Sequence, residues 1–144
     1  MDNITRLFDF PYHQLEKYNL SDALVTKYGS DWIKTSTKEY IDKANAISRG
    51  LLRLGINVND KIAIISSNNR TEWHITDIGV LQTGAQNVPI YPTISAEDYE
   101  YILNHSEAKY CFVSDQVVYD KLKEVQSRIP LLIDVYSFNE ISGC

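Results

Sequence analysis

Cysteine is scarce in this sequence: two residues in 144, Cys111 and Cys144, without C-x-x-C spacing. That excludes a disulfide framework and a cysteine-based zinc or redox site, and makes a reducing cytoplasm the expected compartment. Glycine and proline are also few, six and four, and with 44% apolar and 23% charged residues this excludes collagen-like, low-complexity and disordered chains. Positive charge is in deficit, 14 basic side chains against 19 acidic for a net charge of -5. Neither nucleic acid nor anionic lipid is therefore expected as the main partner. No stretch approaches the roughly 18 uninterrupted apolar residues of a membrane span, and the opening MDNITRLFDF has no apolar run of signal-peptide length. The N-x-S/T triplets at Asn3, Asn69 and Asn104 accordingly read as chance matches, not glycosylation sites.

What the sequence does have is a length suited to one compact domain, at roughly 150 residues each, and a hydrophobic pattern that switches between two periods. Over 37–54, Tyr40, Ile41, Ala44, Ile47, Leu51 and Leu52 recur at helical spacing opposite Lys38, Asp42, Lys43 and Arg49. Ser36 with Glu39 makes a capping box at its start, and Gly55 supplies a left-handed stop. The β-branched run 61–66 (KIAIIS) reads as a buried strand, followed by a helix over 71–83 in which Gly79 and Gly84 permit close backbone approach. A strand at 87–91 ends at Pro92, Ser95 with Asp98 caps the next helix, and a strand at 109–113 leads to a helix over 116–128. A last strand follows Pro130 at 131–136. Strand–helix alternation of this kind predicts an α/β fold, a Rossmann-like or flavodoxin-like, mostly parallel sheet with helices on both faces.

Residues 1–36 read as an irregular N-terminal segment with short helices at 12–18 and 21–28, the second broken by Gly29, and an edge strand at 32–35. The α/β lobe then occupies 37–144. Residues 139–144 stop without a capped element or linker, the pattern of a chain cut from a longer one.

Chemistry-bearing groups are sparse. No two glycines are close enough to cradle a phosphate, and neither near pair leads into a Lys-Ser or Lys-Thr. His13, His74 and His105 lack metal-ligand spacing, so no metal site is expected, and His74 reads as a helix-surface or core-edge residue. Glu97, Asp98 and Glu100 sit in a first helical turn, where carboxylates favour the positive end of the dipole. No catalytic residue is assigned. One segment, Ser66 to Thr71, lies at the carboxyl end of the first strong strand and opens a helix, where doubly wound sheets hold ligands. Ser67, Asn68, Asn69 and Arg70 are therefore the candidate binding residues. The plainer assignment is that Asn68 or Asn69 caps the helix while Arg70 pairs with a nearby carboxylate.

Four strings occur in order: TKEYIDKANAISRGLLRLGI (37–56), SNNRTEW (67–73), TGAQNVPIYPTIS (83–95) and YEYILNHSEAKYCFVSD (99–115). Together they resemble the N-terminal region of AMP-forming acyl-CoA synthetases, adenylate-forming enzymes, most of all the bacterial long-chain fatty acid CoA ligases. The specific residues are Asn69, Arg70, Glu72 and Trp73, then Val88, Pro89, Tyr91 and Thr93; Thr71 stands where many such relatives carry proline. The resemblance covers nearly all of the chain from Trp32 onward, and aryl and bile acid ligases begin with similar lobes. It implies a parent enzyme that uses ATP, magnesium and CoA to turn a carboxylic acid into an acyl-adenylate and then a thioester. It also implies the remainder of the parent as this chain's partner, with peripheral membrane association of that parent. The family's phosphate loop, adenine and ribose motifs and adenylation lysine all lie beyond Cys144, so the chain itself is expected to be inactive and to bind no cofactor.

A stand-alone flavodoxin-like ligand-binding module is the alternative, although the Ser66–Thr71 loop lacks a glycine to wrap a phosphate. A receiver domain would need paired acids where Ser66, Ser67 and Asn68 stand. A lobe separated from a larger enzyme is also expected to self-associate through Tyr91, Tyr99, Tyr101, Tyr110 and the helix carrying Trp73, Ile75, Ile78 and Leu81.

Overall fold

The computed structural model describes residues 4–144, so the triplet beginning at Asn3 starts outside the described residues. In chain order the elements are α1 (Phe10–Lys17), β1 (Leu24–Tyr28), β2 (Asp31–Thr35), α2 (Thr37–Arg53), β3 (Lys61–Ile65), α3 (Thr71–Gln82), β4 (Gln86–Ile90), α4 (Ala96–Ser106), β5 (Ala108–Val113), α5 (Gln116–Lys123) and β6 (Asp134–Ser137). They group into two compact units. The first runs to Val58 and takes in 69–84, whereas the second holds 59–68 and 85–144.

In the first unit, α2 begins at the expected capping box: Glu39 N–H donates to Ser36 Oγ at 3.2 Å, and Ser36 N–H donates to Glu39 Oε2 at 2.8 Å. Its end is set by Gly55 at φ +82°. Helix α3 approaches α2 at Gly79, where an added Cβ would lie 2.6 Å from Ile47 Cγ2 and 2.9 Å from the Ala44 carbonyl. At the same crossing the buried Ser48 Oγ lies 2.9 Å from the Gly79 carbonyl and 2.6 Å from Gln82 Oε1. A helix apolar around its circumference is a core helix, and Ile75 and Ile78 are accordingly buried, contrary to the expectation of an exposed patch there.

The N-terminal segment differs from its sequence reading. Helix α1 starts at Phe10 with Pro11 in its first turn, a position that needs no amide donor. The expected helix over 21–28 is replaced by β1, which returns through Gly29 and Ser30 into β2, with Tyr28 opposite Asp31 and Leu24 opposite Thr35. Leu24 and Tyr28 fit helical spacing, but Val25 and Thr26 are β-branched. Gly29, at φ +59°, is the first residue of a two-residue hairpin turn and not a helix stop.

The second unit contains the expected parallel sheet, in the order β4–β3–β5–β6. Period-2 alternation puts Ala63, Ile65, Cys111, Val113 and Val135 on one face, clustered with Tyr99 and Leu103 of α4 and Val118 and Leu122 of α5. Each fully buried leucine contributes roughly 1.5–3 kcal/mol. Burial pushes the Cys111 thiol up, so it acts as a packed apolar side chain. Tyr99 is buried and donates to the Pro92 carbonyl at 2.9 Å, and Tyr110 is buried too, so neither belongs to an exposed patch; Tyr91 and Tyr101 do face solvent. The helix expected over 116–128 is shorter: α5 ends at Lys123 and a single 3-10 turn, Gln126–Arg128, follows Val125 at φ -115°. The last strand begins at Asp134, three positions later than expected, because the Leu132 amide turns back to the Ile129 carbonyl at 3.1 Å. No helix among the described residues is long and apolar enough to cross a membrane.

Candidate functional site

In the sheet, β3 has β4 on one side and β5 on the other, which makes the carboxyl ends of β3 and β5 a topological switch point, the place where open α/β sheets hold ligands. Ser66, Ser67 and Asn68 follow β3; Ser114 and Asp115 follow β5. The two loops are tied together. Ser114 N–H donates to the Ile65 carbonyl at 3.0 Å, Ser67 N–H donates to Ser114 Oγ at 2.9 Å, and Ser114 Oγ–H donates to Asp115 Oδ2 at 2.6 Å. Asp115 also caps α5, accepting from Val118 N–H at 3.1 Å. Burial opposes ionisation of Asp115, but hydrogen bonds from Ser114, Ser67 and the Val118 and Val117 amides outweigh it and hold the carboxyl below its ordinary value. Ser67 and Asn68 keep their side chains exposed beside this frame, whereas Ser114 is wholly buried. The sequence reading did not single out Ser114. Its signal is a Ser-Asp pair directly after an apolar strand, the aspartate being the N-cap of the next helix.

Asn69, Arg70 and Thr71 belong to the first unit and carry a different arrangement. Asn69 is exposed; the Arg70 side chain is only 6% exposed, its Nε donating to Glu72 Oε2 at 2.9 Å and its Nη2 to Tyr28 Oη at 3.3 Å. Tyr28 Oη–H donates to Glu72 Oε1 at 2.7 Å, closing a three-residue ring of contacts, and the guanidinium carbon lies 5.7 Å from the Tyr28 ring centroid. The expected pairing of Arg70 with a carboxylate is thus met by Glu72. The expected cap is not met by Asn68 or Asn69: the N-cap position is Arg70, which makes no side-chain cap bond. Thr26 of β1 does that work instead, its Oγ1 accepting from Thr71 N–H at 2.9 Å and lying 2.8 Å from Thr71 Oγ1. A residue 45 positions away is invisible to a local capping pattern.

Thr26→Val, which keeps shape and removes the acceptor, is therefore expected to cost about 1 kcal/mol in urea unfolding, while Asn68→Ala and Asn69→Ala cost a few tenths. Equal costs at all three positions would reject the cap assignment.

Among the described residues no three His, Cys, Asp or Glu side chains are grouped to hold a metal ion. His74 is exposed and meets Trp73 edge-on, and His105 stacks on Tyr101. In the second unit the switch point offers the hydroxyl of Ser67 and the amide of Asn68; in the first unit Asn69 is exposed and the Arg70 guanidinium is held by Glu72 and Tyr28.

A family model described as "AMP-binding enzyme" matches residues 12–142. Among curated proteins, the chain is 32% identical over 133 residues to the long-chain-fatty-acid–CoA ligase ACSBG2 of Xenopus laevis, covering 89% of this chain and 18% of that protein. It is 34% identical over 104 residues to the long-chain-fatty-acid–CoA ligase FadD15 of Mycobacterium bovis, covering 72% of this chain and 17% of that one. The chain thus spans less than a fifth of the length of these relatives. Among solved structures, the long-chain-fatty-acid-CoA ligase FadD1 of Archaeoglobus fulgidus shares the fold, with a TM-score of 0.81 over 96% of this chain and 28% of that one at 20% identity.

Proposed function

The chain belongs to the AMP-binding enzyme family, and on that premise we propose that it is the N-terminal lobe of an ATP-dependent acid–CoA ligase that activates a fatty acid as its acyl-adenylate and then forms the CoA thioester. The observation that carries this reading is the family match over 12–142, joined to relatives at 32% and 34% identity that are fatty acid CoA ligases and of which the chain spans 18% and 17%. ATP, magnesium and CoA are then ligands of the parent. The chain's own residues include neither a glycine-rich phosphate loop nor a grouped set of metal ligands among those described, and no step of adenylation is assigned to them.

Within this reading, Ser67, Asn68 and Asn69 present polar groups toward ligand or toward the rest of the parent, and Arg70 positions the turn through Glu72 and Tyr28. The test is a chimaera in which this chain replaces the matching region of FadD15, assayed by fatty-acid-dependent ATP–pyrophosphate exchange. Exchange well above background in the chimaera, with background exchange from the chain alone, is the expected result. Turnover by the isolated chain, or a soluble chimaera that never turns over with any fatty acid, would count against the proposal. Ser67→Ala and Asn68→Ala in an active chimaera should lower exchange while shifting the melting temperature by only about 1 °C, and unchanged exchange would remove both from the candidate site.

A further inference from the structure

Lys121 of α5, in the second unit, directs its charge at backbone and not at an acid. Its Nζ donates to the Pro92 carbonyl at 2.8 Å and to the Ile94 carbonyl at 2.9 Å, and lies 5.3 Å from the centroid of the Tyr99 ring. Among the described residues it forms no ion pair. Pro92 and Ile94 lie in the loop between β4 and α4, and no backbone amide among the described residues donates to either carbonyl. The Pro92 carbonyl has Tyr99 Oη as a second donor, at 2.9 Å; the Ile94 carbonyl has Lys121 alone among the described residues. A half-buried carbonyl without a donor is costly, so these bonds decide which way the loop backbone faces.

The loop so held borders the candidate site. Ile65 and Ile90 stand opposite each other in β3 and β4, so residues 66–68 and 91–94 leave the sheet from adjacent strands at its carboxyl edge. Along the second of these loops, Pro92 and Ile94 are half-buried and alternate with Tyr91 and Thr93, which are exposed. Both loops are fastened to one helix. Ser67 N–H is bonded to Ser114 Oγ, which is bonded to Asp115, the N-cap of α5; the β4 loop is bonded to Lys121 of the same α5. A lysine suits the second attachment, because its three N–H donors on a flexible stem can serve two separate carbonyls while the charge faces a ring.

Resting on the reading of the parent as an acid–CoA ligase, we propose that Lys121 is a positioning residue of the candidate site. Its ammonium fixes the β4–α4 loop so that Tyr91 and Thr93 stand beside Ser67 and Asn68, and α5 sets the spacing between the two loops. Lys121 itself touches no reacting group in this role; it acts through the Pro92 and Ile94 carbonyls.

The test replaces the ammonium from solution. In the full chain, Lys121→Ala is expected to move the amide resonances of Thr93, Ile94 and Ser95. The ion n-propylammonium, which matches the atoms the substitution removes, should return them to their original positions, and n-propanol, of the same shape without the charge, should not. Lys123→Ala, on the same helix with its ammonium over the Tyr119 ring, is the control and should leave these resonances in place. In an active FadD15 chimaera, Lys121→Ala is expected to lower kcat/KM for fatty-acid-dependent exchange by about ten-fold, with recovery in n-propylammonium only, and Lys123→Ala to change it by less than about two-fold. Resonances indifferent to Lys121→Ala, or equal recovery with n-propanol, would overturn the positioning role. Shifted resonances with undiminished exchange would overturn it too, by taking the loop out of the site, while the ligase reading stands. A chimaera that never turns over counts against the ligase reading, and the resonances then decide the role of Lys121 by themselves. Should Lys121→Ala fail to fold, Lys121→Met, which keeps the stem and loses the donors, is compared with Lys123→Met in the same two measurements.

Discussion

Gly79→Ala is expected to destabilise the chain by about 3 kcal/mol, at the upper end of the cost of overpacking a core, with a fall in melting temperature of roughly 10 °C. The new Cβ would stand 2.6 and 2.7 Å from Ile47 Cγ2 and Cβ and 2.9 Å from the Ala44 carbonyl, closer than carbon atoms approach without displacement. Ile47 can turn away in part; the Ala44 carbonyl, as helix backbone, cannot, so α2 and α3 must separate and draw Ser48 from the Gly79 carbonyl. Gly50→Ala, inside α2, provides the opposite sign: its Cβ meets nothing within 4 Å, and the exchange removes the entropic cost of a helical glycine, a gain of about 0.5–1 kcal/mol. Urea unfolding followed by circular dichroism distinguishes them. If both substitutions shift stability in the same direction, the close crossing of α2 and α3 at Gly79 is wrong. Ile47→Ala added to Gly79→Ala should recover part of the loss, since the two residues share one contact.

What the sequence made legible follows from how local each signal is. The capping boxes at Ser36–Glu39 and Ser95–Asp98 and the stop at Gly55 are contained within a few residues, and each is found where expected. The parallel sheet followed from strand–helix alternation, and the family from strings such as SNNRTEW and VPIYPT, a resemblance that the match over 12–142 bears out. The hairpin β1–β2 was not legible, because Leu24 and Tyr28 satisfy helical spacing and only the Gly29 turn and a partner strand decide between the two periods. The candidate site divides in the same manner. The position of Ser67 and Asn68 at the end of β3 could be read from order alone, but the cap from Thr26 and the frame from Ser114 join residues 45 and 47 positions apart, which no local pattern contains.

Arg70→Met is expected to cost about 2 kcal/mol at pH 7, and the deficit should shrink on acidification. Removing one partner of a buried ion pair costs roughly 3–5 kcal/mol where the other charge stays buried; here the Glu72 side chain is 34% exposed and can rehydrate, which reduces the penalty. The pH dependence comes from Glu72. Burial raises its pKa, but hydrogen bonds from Arg70 and Tyr28 outweigh burial and bring it down to about 2 from an ordinary 4.5. A carboxyl depressed in the folded state contributes stability that is complete above the unfolded value of 4.5 and is lost as pH falls through 4.5 toward 2. The gap between the parent chain and Arg70→Met should accordingly be constant from pH 7 to about 5 and narrow below that. Glu72→Gln should converge on the parent over the same window, because at low pH both carry an uncharged group at position 72. Urea titrations at about pH 7, 5, 3.5 and 2.5 measure both gaps, and a deficit that stays level or widens with acid would show that the Arg70–Glu72–Tyr28 contacts do not carry the charge-dependent part of the hairpin's attachment to α3.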